Sequence, residues 1–351
     1  MLSKNDIINE NKKILELEGN FLSINMLKLN EISYYVKNQL KILELVAISS
    51  YDERIIIINL PELKIFQTIR TDGKINSLSQ FKYNPNYLLC SSDYCYFIIY
   101  KFIIKKQKFR ETQKLHKIHY GHPYSKLIIL ANEDLAYIDC NKNKNIIIFE
   151  QHKINGPTKY FKKYKEIMVN KEEDIIDIFE INENIFTCSI AGKNIIKFYK
   201  NNRDNYPLIG TIKNVNVNPS NKNGFTKLND EFFFYGSYII YIISIKAMEI
   251  IQKIKLPSLD ISVPLYPDRS LDYKLSLYIH NSVNNMIYIV YQEKIKQYKI
   301  IKDVDDNFVE LKENDNWELY SFHSHKLIVT EKGEMFHQID NKTFCLNKLN
   351  N

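Results

Sequence analysis

A short unit recurs along the chain and limits the folds that are open to it. Its first copy, Ser49 to Ile69, reads SSYDERIIIINLPELKIFQTI. Runs rich in β-branched and aromatic residues alternate there with turn residues, which is the pattern of short antiparallel strands. Another such run, Leu43 to Ser50, supplies the strand upstream. The unit therefore predicts a meander of strands rather than helices.

The middle strand of this unit, RIIIINL, has six further copies downstream. They are Tyr96 to Phe102, Leu135 to Asn141, Asn194 to Lys200, Ile239 to Ile245, Lys294 to Ile300 and Met335 to Asn341. The position aligned with Asn59 recurs after 42, 38, 61, 44, 55 and 41 residues, a mean close to 47. Periods of this length with about four strands are typical of propeller blades, which bury their faces by stacking on their neighbours. We predict an all-β, seven-bladed β-propeller of four-stranded antiparallel blades.

The copies also set the domain organisation. One domain is predicted over 1–351, and two long gaps between copies predict insertions at 152–173 and 257–272. Residues 12–18 form an otherwise unassigned strand, which we expect to complete the last blade and close the ring, since closure removes open sheet edges. The predicted blades span 21–72, 73–116, 117–152, 174–213, 214–257, 273–312 and 315–351.

Three pieces of the repeat resemble the WD-repeat propeller family. Each piece is similar to the family's Ser-x-Asp turn and to the strand that follows it, which ends in Trp-Asp in the family. The three pieces are SSYDERIIIINL, SSDYCYFIIYKF and CSIAGKNIIKFYK. Here the aspartate is kept only at Asp139 and Asp340. The tryptophan position reads Ile58, Tyr100, Ile138, Tyr199, Ile243, Tyr298 and Ile339.

The resemblance implies a non-enzymatic scaffold for protein–protein interactions, a subunit or adaptor of a larger assembly. Apolar packing would replace most of the family's buried hydrogen-bond network. Two turn aspartates, Asp52 and Asp93, are expected to hydrogen-bond their own turn amides, as aspartate commonly does.

We predict an intracellular protein, located in the cytoplasm with the nucleus as the alternative. The N-terminus carries charges where a signal peptide needs an apolar core, and the run from Tyr238 to Ile245 is too short to cross a membrane. Five cysteines without a CxxC pair are typical of a reducing compartment. The net charge of +7 is spread along the chain, which does not indicate a dedicated nucleic-acid binder.

Motifs for catalysis, cofactors and metals are not found. The nine glycines form no phosphate-binding cluster, and neither GxSxG nor HExxH occurs. His116, His119 and His122 are spaced for a zinc site only if they lie on a loop, and no fourth ligand is near. We therefore predict no enzyme activity, no cofactor and no metal.

The two predicted insertions hold the candidate partner contacts. In the first, lysines interleave with aromatics at Lys159, Tyr160, Phe161, Lys162, Lys163 and Lys165, a pattern that suits a polyanion, either nucleic acid or an anionic lipid such as a phosphoinositide. In the second, Leu265 and Tyr266 lie in a proline-rich stretch and could contact a protein. Ordinary packing of both loops on the blades is the alternative.

Overall fold

The computed structural model describes most of the chain as β-strands. The described residues are 12–18, 23–92, 96–116, 127–138, 145–153, 159–168, 174–202, 205–217, 224–236, 239–255, 276–279, 286–291, 294–302, 308–320, 327–330, 332–339 and 342–348. They contain thirty strands and a single turn of 3₁₀ helix, Ile104–Lys106. The all-β prediction is confirmed.

The strands form seven four-stranded antiparallel sheets and one two-stranded hairpin within the described residues. The first sheet comprises β2 (Ser23–Lys28), β5 (Leu45–Ser50), β6 (Arg54–Asn59) and β7 (Lys64–Arg70), with the hairpin β3 (Ile32–Val36) and β4 (Gln39–Leu43) inserted after β2. The second comprises β8 (Ile75–Gln80), β9 (Tyr87–Ser92), β10 (Tyr96–Ile103) and β11 (Lys108–His116). The third comprises β12 (Leu127–Ile129), β13 (Leu135–Ile138), β14 (Asn145–Lys153) and β15 (Lys159–Met168).

The remaining sheets repeat this order. The fourth comprises β16 (Ile175–Asn182), β17 (Ile185–Ile190), β18 (Ile195–Lys200) and β19 (Leu208–Ile212). The fifth comprises β20 (Phe225–Lys227), β21 (Phe232–Gly236), β22 (Ile239–Ser244) and β23 (Glu249–Lys255). The sixth comprises β24 (Ser276–Ile279), β25 (Met286–Tyr291), β26 (Lys294–Lys302) and β27 (Phe308–Tyr320). The seventh comprises β28 (Leu327–Val329), β29 (Glu334–Gln338), β30 (Thr343–Lys348) and β1 (Lys13–Glu16).

Neighbouring sheets pack face to face through buried apolar clusters. One cluster joins the first and second sheets through residues such as Ala47 and Ile98, and another joins the seventh and first through Phe336 and Ile56. Similar clusters lie between the second and third, third and fourth, and fourth and fifth sheets. Such stacking is consistent with a β-propeller, because a sheet alone cannot bury both of its faces.

The N-terminal strand joins the last sheet. β1 pairs antiparallel with β30, Lys13 opposite Leu346 and Glu16 opposite Thr343. The N–H of Leu17 also donates to the carbonyl of Lys342 at 2.8 Å. This is the strand pairing that the sequence predicts for 12–18.

The predicted strand order of the third and seventh copies is wrong by one strand. Leu135–Ile138 and Glu334–Gln338 are second strands of their sheets, and the third strands are β14 and β30. Ile138 and Ile339 therefore do not occupy the tryptophan position, while Asp139 and Asp340 lie outside the described residues. Both strands of each pair are apolar and buried, so composition does not distinguish a second strand from a third.

The corrected strand order makes the repeat more regular. Third-strand residues that pair with the start of the second strand are Asn59, Lys101, Phe149, Lys200, Ser244, Lys299 and Lys348. Their gaps are 42, 48, 51, 44, 55 and 49 residues, a narrower spread than the sequence alone suggested. None of the seven is an aspartate, so the Trp-Asp ending of the family has no counterpart.

The predicted insertion at 152–173 is also wrong. Residues 159–168 form β15, which pairs with β14 along its length, Lys162 opposite Glu150 and Lys165 opposite Ile148. The segment is therefore the fourth strand of the third sheet rather than a loop between sheets. Lysines are common on the edge strands of sheets, so a lysine-rich composition is compatible with a fourth strand. The second predicted insertion, 257–272, lies outside the described residues.

Candidate partner-binding face

Two ends of each sheet can be distinguished by their connections. Because the strands are antiparallel, the connections between first and second strands and between third and fourth strands lie at one end, which we call the hairpin end. The connection between second and third strands lies at the opposite end. Contacts tie the hairpin ends of different sheets together: Lys332 of the seventh sheet pairs with Glu44, and the Asn30 N–H donates to Gln80 Oε1 at 2.5 Å.

Exposed large apolar side chains are concentrated at the hairpin end. Of the eleven in the described residues, Ile14 lies in the middle of β1 and Tyr51 lies at the opposite end. The other nine lie in connections of the hairpin end or among the first three residues of a strand that follows one; they are Tyr35, Leu40, Ile42, Ile65, Tyr83, Ile104, Leu208, Ile209 and Ile251. Clustered exposed apolar groups mark interaction surfaces more often than scattered ones do.

The hairpin β3–β4 carries three of these side chains on one face. Tyr35 lies directly opposite Leu40, and Ser33 lies opposite Ile42, so these four residues share a face. Tyr35, Leu40 and Ile42 are 72%, 53% and 51% exposed. The sequence prediction included this segment in the first blade without recognising a separate hairpin. The signal was present as two alternating runs, ISYYV and QLKIL, around a two-residue turn.

The other face of the hairpin packs on the first two sheets. Ile32 and Tyr34 are buried, and the Tyr34 ring lies 5.9 Å from the ring of Phe102 in the second sheet. Phe102 also contacts Phe66 at 6.2 Å, which joins β7 to the same cluster. Gln67 of the first sheet also binds the backbone of Phe109 in the second. Its Nε2 donates to the Phe109 carbonyl at 2.9 Å, and its Oε1 accepts from the Phe109 N–H at 2.7 Å. The hairpin is therefore held in a fixed position.

Ionic contacts connect the hairpin ends of the second and fourth sheets. Glu183 accepts hydrogen bonds from Lys82 Nζ at 2.7 Å and from Tyr83 Oη at 2.8 Å. Bonding to Lys82, and then to Tyr83, lowers the pKa of Glu183 below its usual value. The same bonds raise the pKa of Lys82 and of Tyr83. Both partners of the ion pair are exposed, so the contact orients the turns more than it stabilises them.

A second carboxyl group of the fourth sheet lies deeper at this end. Glu180 accepts a hydrogen bond from the Ala131 backbone N–H of the third sheet. Burial raises the pKa of Glu180 to about 7, although the Ala131 bond and the Lys82 charge act in the opposite direction. Near neutral pH this carboxyl group therefore changes charge.

A buried aspartate links the third and fourth sheets at the same end. The Asp134 carboxylate is fully buried and accepts hydrogen bonds from Tyr206 Oη and Asn132 Nδ2, both at 2.9 Å. The Asp134 N–H donates to Asn132 Oδ1 at 3.0 Å. Tyr206 itself is 2% exposed. The connection of the third sheet is therefore anchored to that of its neighbour.

One group of side chains superficially resembles a cysteine nucleophile with its partners. Cys345 Sγ donates to Asn347 Oδ1 at 2.8 Å, and Asn347 Nδ2 lies 3.1 Å from His337 Nε2. All three are buried. Burial raises the pKa of the Cys345 thiol to about 11 and lowers the pKa of His337 to about 4. Both groups are neutral at pH 7, whereas a reactive cysteine requires a thiolate, so the group is part of the core.

The site residues predicted from the sequence fall in different places. Lys159, Tyr160, Phe161, Lys162, Lys163 and Lys165 all lie on β15, whose backbone pairing is described. Leu265, Tyr266 and Asp93 lie outside the described residues. Asp52 lies in a turn as predicted, but its carboxylate accepts a bond from Arg54 Nε at 2.5 Å, and its own N–H donates to Ser50 Oγ at 3.4 Å.

The described part of the chain contains neither a cluster of metal-ligating side chains nor a helix that could span a membrane. No three or more histidine, cysteine, aspartate or glutamate side chains converge there on a possible metal position. Over the same residues, no helix has the length and apolar character needed to span a bilayer. His119 and His122 of the spaced histidine set lie outside the described residues.

Comparisons with known proteins identify the fold and not the family. No family model and no curated protein matches the sequence. Among solved structures 1550 chains match, which marks the architecture as a common one that carries many functions. One is a chain from the crystal structure of a mitotic checkpoint complex, with a TM-score of 0.64 and 8% identity. The match covers 97% of this chain and 92% of that chain, so the two share their fold over nearly their whole length.

Proposed function

We propose that the protein is a non-enzymatic scaffold of WD-repeat type that binds other proteins inside the cell through its hairpin end. The observation that carries the proposal is the uneven distribution of exposed apolar side chains, nine of which lie at that end. A surface that binds nothing has no physical reason to concentrate such groups, because exposed apolar area favours association.

The scaffold would be a closed ring of seven blades. Support comes from the first strands of successive sheets, each of which contacts the next: β2, β8, β12, β16, β20, β24 and β28 in this order. β28 of the last sheet also contacts β2 of the first. A closed ring is rigid and presents its connections at two faces, which suits the assembly of several proteins.

Two further observations favour this function. The similar chain noted above was crystallised within a complex of proteins, and the Cys345 group of this chain is neutral and buried. Binding of a polyanion is not proposed, because the basic segment on which it rested is a paired strand rather than a loop.

Lysine cross-linking of the tagged protein in its native cells tests both the function and the face. Partners are purified with and without nuclease, and the cross-linked lysines are identified by mass spectrometry. Exposed lysines exist at both ends: Lys37, Lys64, Lys82 and Lys105 at the hairpin end, and Lys74, Lys193 and Lys213 at the opposite end. We expect nuclease-resistant partners that cross-link to the first set.

Different results would contradict the scaffold function and the choice of the hairpin end as its binding face. If no stoichiometric protein survives nuclease, the scaffold function is wrong. If partners cross-link only to Lys74, Lys193 and Lys213, the protein is a scaffold but the hairpin end is not its binding face.

A further inference from the structure

We propose that the free edge of β4 binds an extended segment of a partner protein in which apolar residues alternate with acidic ones. The inference rests on the proposed function, because it specifies the chemistry of the partner at the hairpin end. The segment would add a third strand to the hairpin, as extended peptides do at other exposed sheet edges.

The hairpin geometry makes specific backbone groups available. Lys37 and Asn38 have φ values of 48° and 64°, the left-handed pair of a two-residue type I′ turn. The residues next to such a turn, Val36 and Gln39, form a hydrogen-bonded pair, and bonded and non-bonded pairs then alternate. Leu40 and Ile42 fall in non-bonded pairs, so their N–H and C=O groups point away from β3.

The outer edge of β4 is open to a partner. Residues Gln39 to Ile42 are all exposed, whereas β3 buries alternate residues against the sheets below. Among the described strands, only β3 pairs with β4. An unpaired edge of this kind is a template for another strand.

The side chains of the edge select an alternating sequence. Leu40 and Ile42 lie on the exposed apolar face with Tyr35, so a partner strand with apolar residues at every second position would extend that face. Lys41 lies between them and projects to the other side of the hairpin. Acidic residues at the intervening positions of the partner would lie beside Lys41.

Charge complementarity favours an acidic partner over a second copy of this chain. Residues 32–43 carry Lys37 and Lys41 and no acidic residue. The neighbouring turn adds Lys105 and Lys106, three and four residues after Phe102, which contacts Tyr34. In the sequence, the nearest acidic residues are Glu31 and Glu44, and Glu44 is already paired with Lys332. Two copies joined edge to edge would bring lysines together, which is unfavourable.

Hydrogen exchange on the full chain tests the geometry directly. The probes are a synthetic peptide of alternating valine and glutamate, a peptide of alternating valine and lysine, and phosphatidylcholine vesicles containing phosphatidylserine. We expect the valine–glutamate peptide alone to slow exchange of the Leu40 and Ile42 amides. The Lys41 amide serves as an internal control, because it is already bonded to β3 and should not change.

Variants test the side-chain contribution by fluorescence anisotropy of labelled peptide. Leu40→Ser with Ile42→Ser should weaken binding about tenfold or more, because two apolar contacts are lost. Lys41→Glu should reverse the preference in favour of the valine–lysine peptide. Tyr51→Ser removes a comparably exposed apolar side chain at the opposite end of the first sheet and should leave binding unchanged. Circular dichroism melting establishes that each variant is folded.

Several outcomes would overturn the inference. These are no binding of the valine–glutamate peptide, binding without slower exchange at Leu40 and Ile42, or an unchanged preference in Lys41→Glu. Slower exchange with the vesicles but not with the peptide would identify a lipid surface instead. In each case, nuclease-resistant partners cross-linked at the hairpin end would still support the scaffold function.

Discussion

The fourth and seventh sheets each bury a titratable side chain, and burial moves the two pKa values in opposite directions. In the seventh sheet, burial and, to a smaller extent, the charge of Lys12 lower the pKa of His337 to about 4. In the fourth sheet, Glu180 lies near the hairpin end and its pKa rises to about 7. Burial disfavours the charged form in both cases, which is the protonated imidazole but the deprotonated carboxyl.

This difference gives the two sheets opposite responses to pH. Below its ordinary pKa of 6.5, His337 binds a proton more readily in the unfolded chain, so stability falls as the pH drops from about 7 to 4. Glu180 binds a proton more readily in the folded chain, so its contribution is complete below 4.5 and is lost as the pH rises through about 7. Between pH 5 and 7.5 the two effects largely cancel.

The largest effect is expected where a fully buried hydrogen-bond acceptor is removed. Asp134→Ala removes the acceptor of Tyr206 Oη and the shorter of two bonds that Asn132 Nδ2 donates, which should cost about 3 kcal/mol of unfolding free energy. Asn347→Ala, the corresponding change in the seventh sheet, removes contacts between neutral groups and should cost about 1 kcal/mol. Urea unfolding at pH 7.5 measures both.

A larger loss of unfolding free energy in Asn347→Ala than in Asp134→Ala would contradict this expectation. Tyr206→Phe provides a matched control for the fourth sheet. It removes one hydrogen bond to Asp134 and keeps the ring packed against Phe186, so its effect should be smaller than that of Asp134→Ala.

The next largest effect is expected on the pH dependence of stability when His337 is replaced. His337→Gln removes the titrating group and keeps a polar atom toward Asn347, so only the Glu180 response should remain. The variant should then be more stable at pH 5 than at pH 7.5 by about 2 kcal/mol. Unfolding curves at the two pH values provide the measurement. A pH response identical to that of the parent protein would show that His337 does not titrate in this way.

A somewhat smaller change in the pH dependence of stability, of opposite sign, is expected when Glu180 of the fourth sheet is replaced. Glu180→Gln keeps an acceptor for the Ala131 N–H and removes the charge, leaving the His337 response alone. This variant should lose about 1–2 kcal/mol between pH 7.5 and pH 5, since the His337 response is then no longer offset by that of Glu180. Combining both substitutions should give a protein nearly insensitive to pH in this range, and a remaining slope would point to another group.

The smallest effect concerns the exposed ion pair. Glu183→Gln removes the charge that Lys82 and Tyr83 contact, but these groups are exposed and screened by solvent. The unfolding midpoint should not change measurably, in low or high salt. A clear loss of stability would mean that this contact, and not only Asp134, holds the sheets in place.

Sequence periodicity was sufficient for the fold class and for most strands. β-Branched runs such as Arg54–Asn59 and Ile239–Ser244 are strands where the pattern predicts them. In the third and seventh sheets, the sequence pattern assigned the second strand as the third. β13 and β14 are similar buried runs, as are β29 and β30, and only their hydrogen-bonded partners distinguish them.

The candidate site could not be predicted in the same way. The contact of Lys82 with Glu183 joins residues 101 positions apart, and no local pattern specifies such a pairing. The exposure of Leu40 and Ile42 depends on which face of the hairpin packs on Phe102, which is decided by tertiary contacts. The lysine-rich run at 159–165 was misread because charge alone does not separate a loop from a strand at a sheet edge.

The pairing of Lys13 with Leu346 bears on the order in which the molecule is assembled in the cell. β1 leaves the ribosome long before β30 is translated, and in that interval it has no strand to join. Pairings between such distant positions form slowly, and unpaired strands are prone to aggregate. The seventh sheet is therefore expected to be completed last, and a chaperone that shields residues 12–18 during synthesis would have its main effect on the yield of this protein.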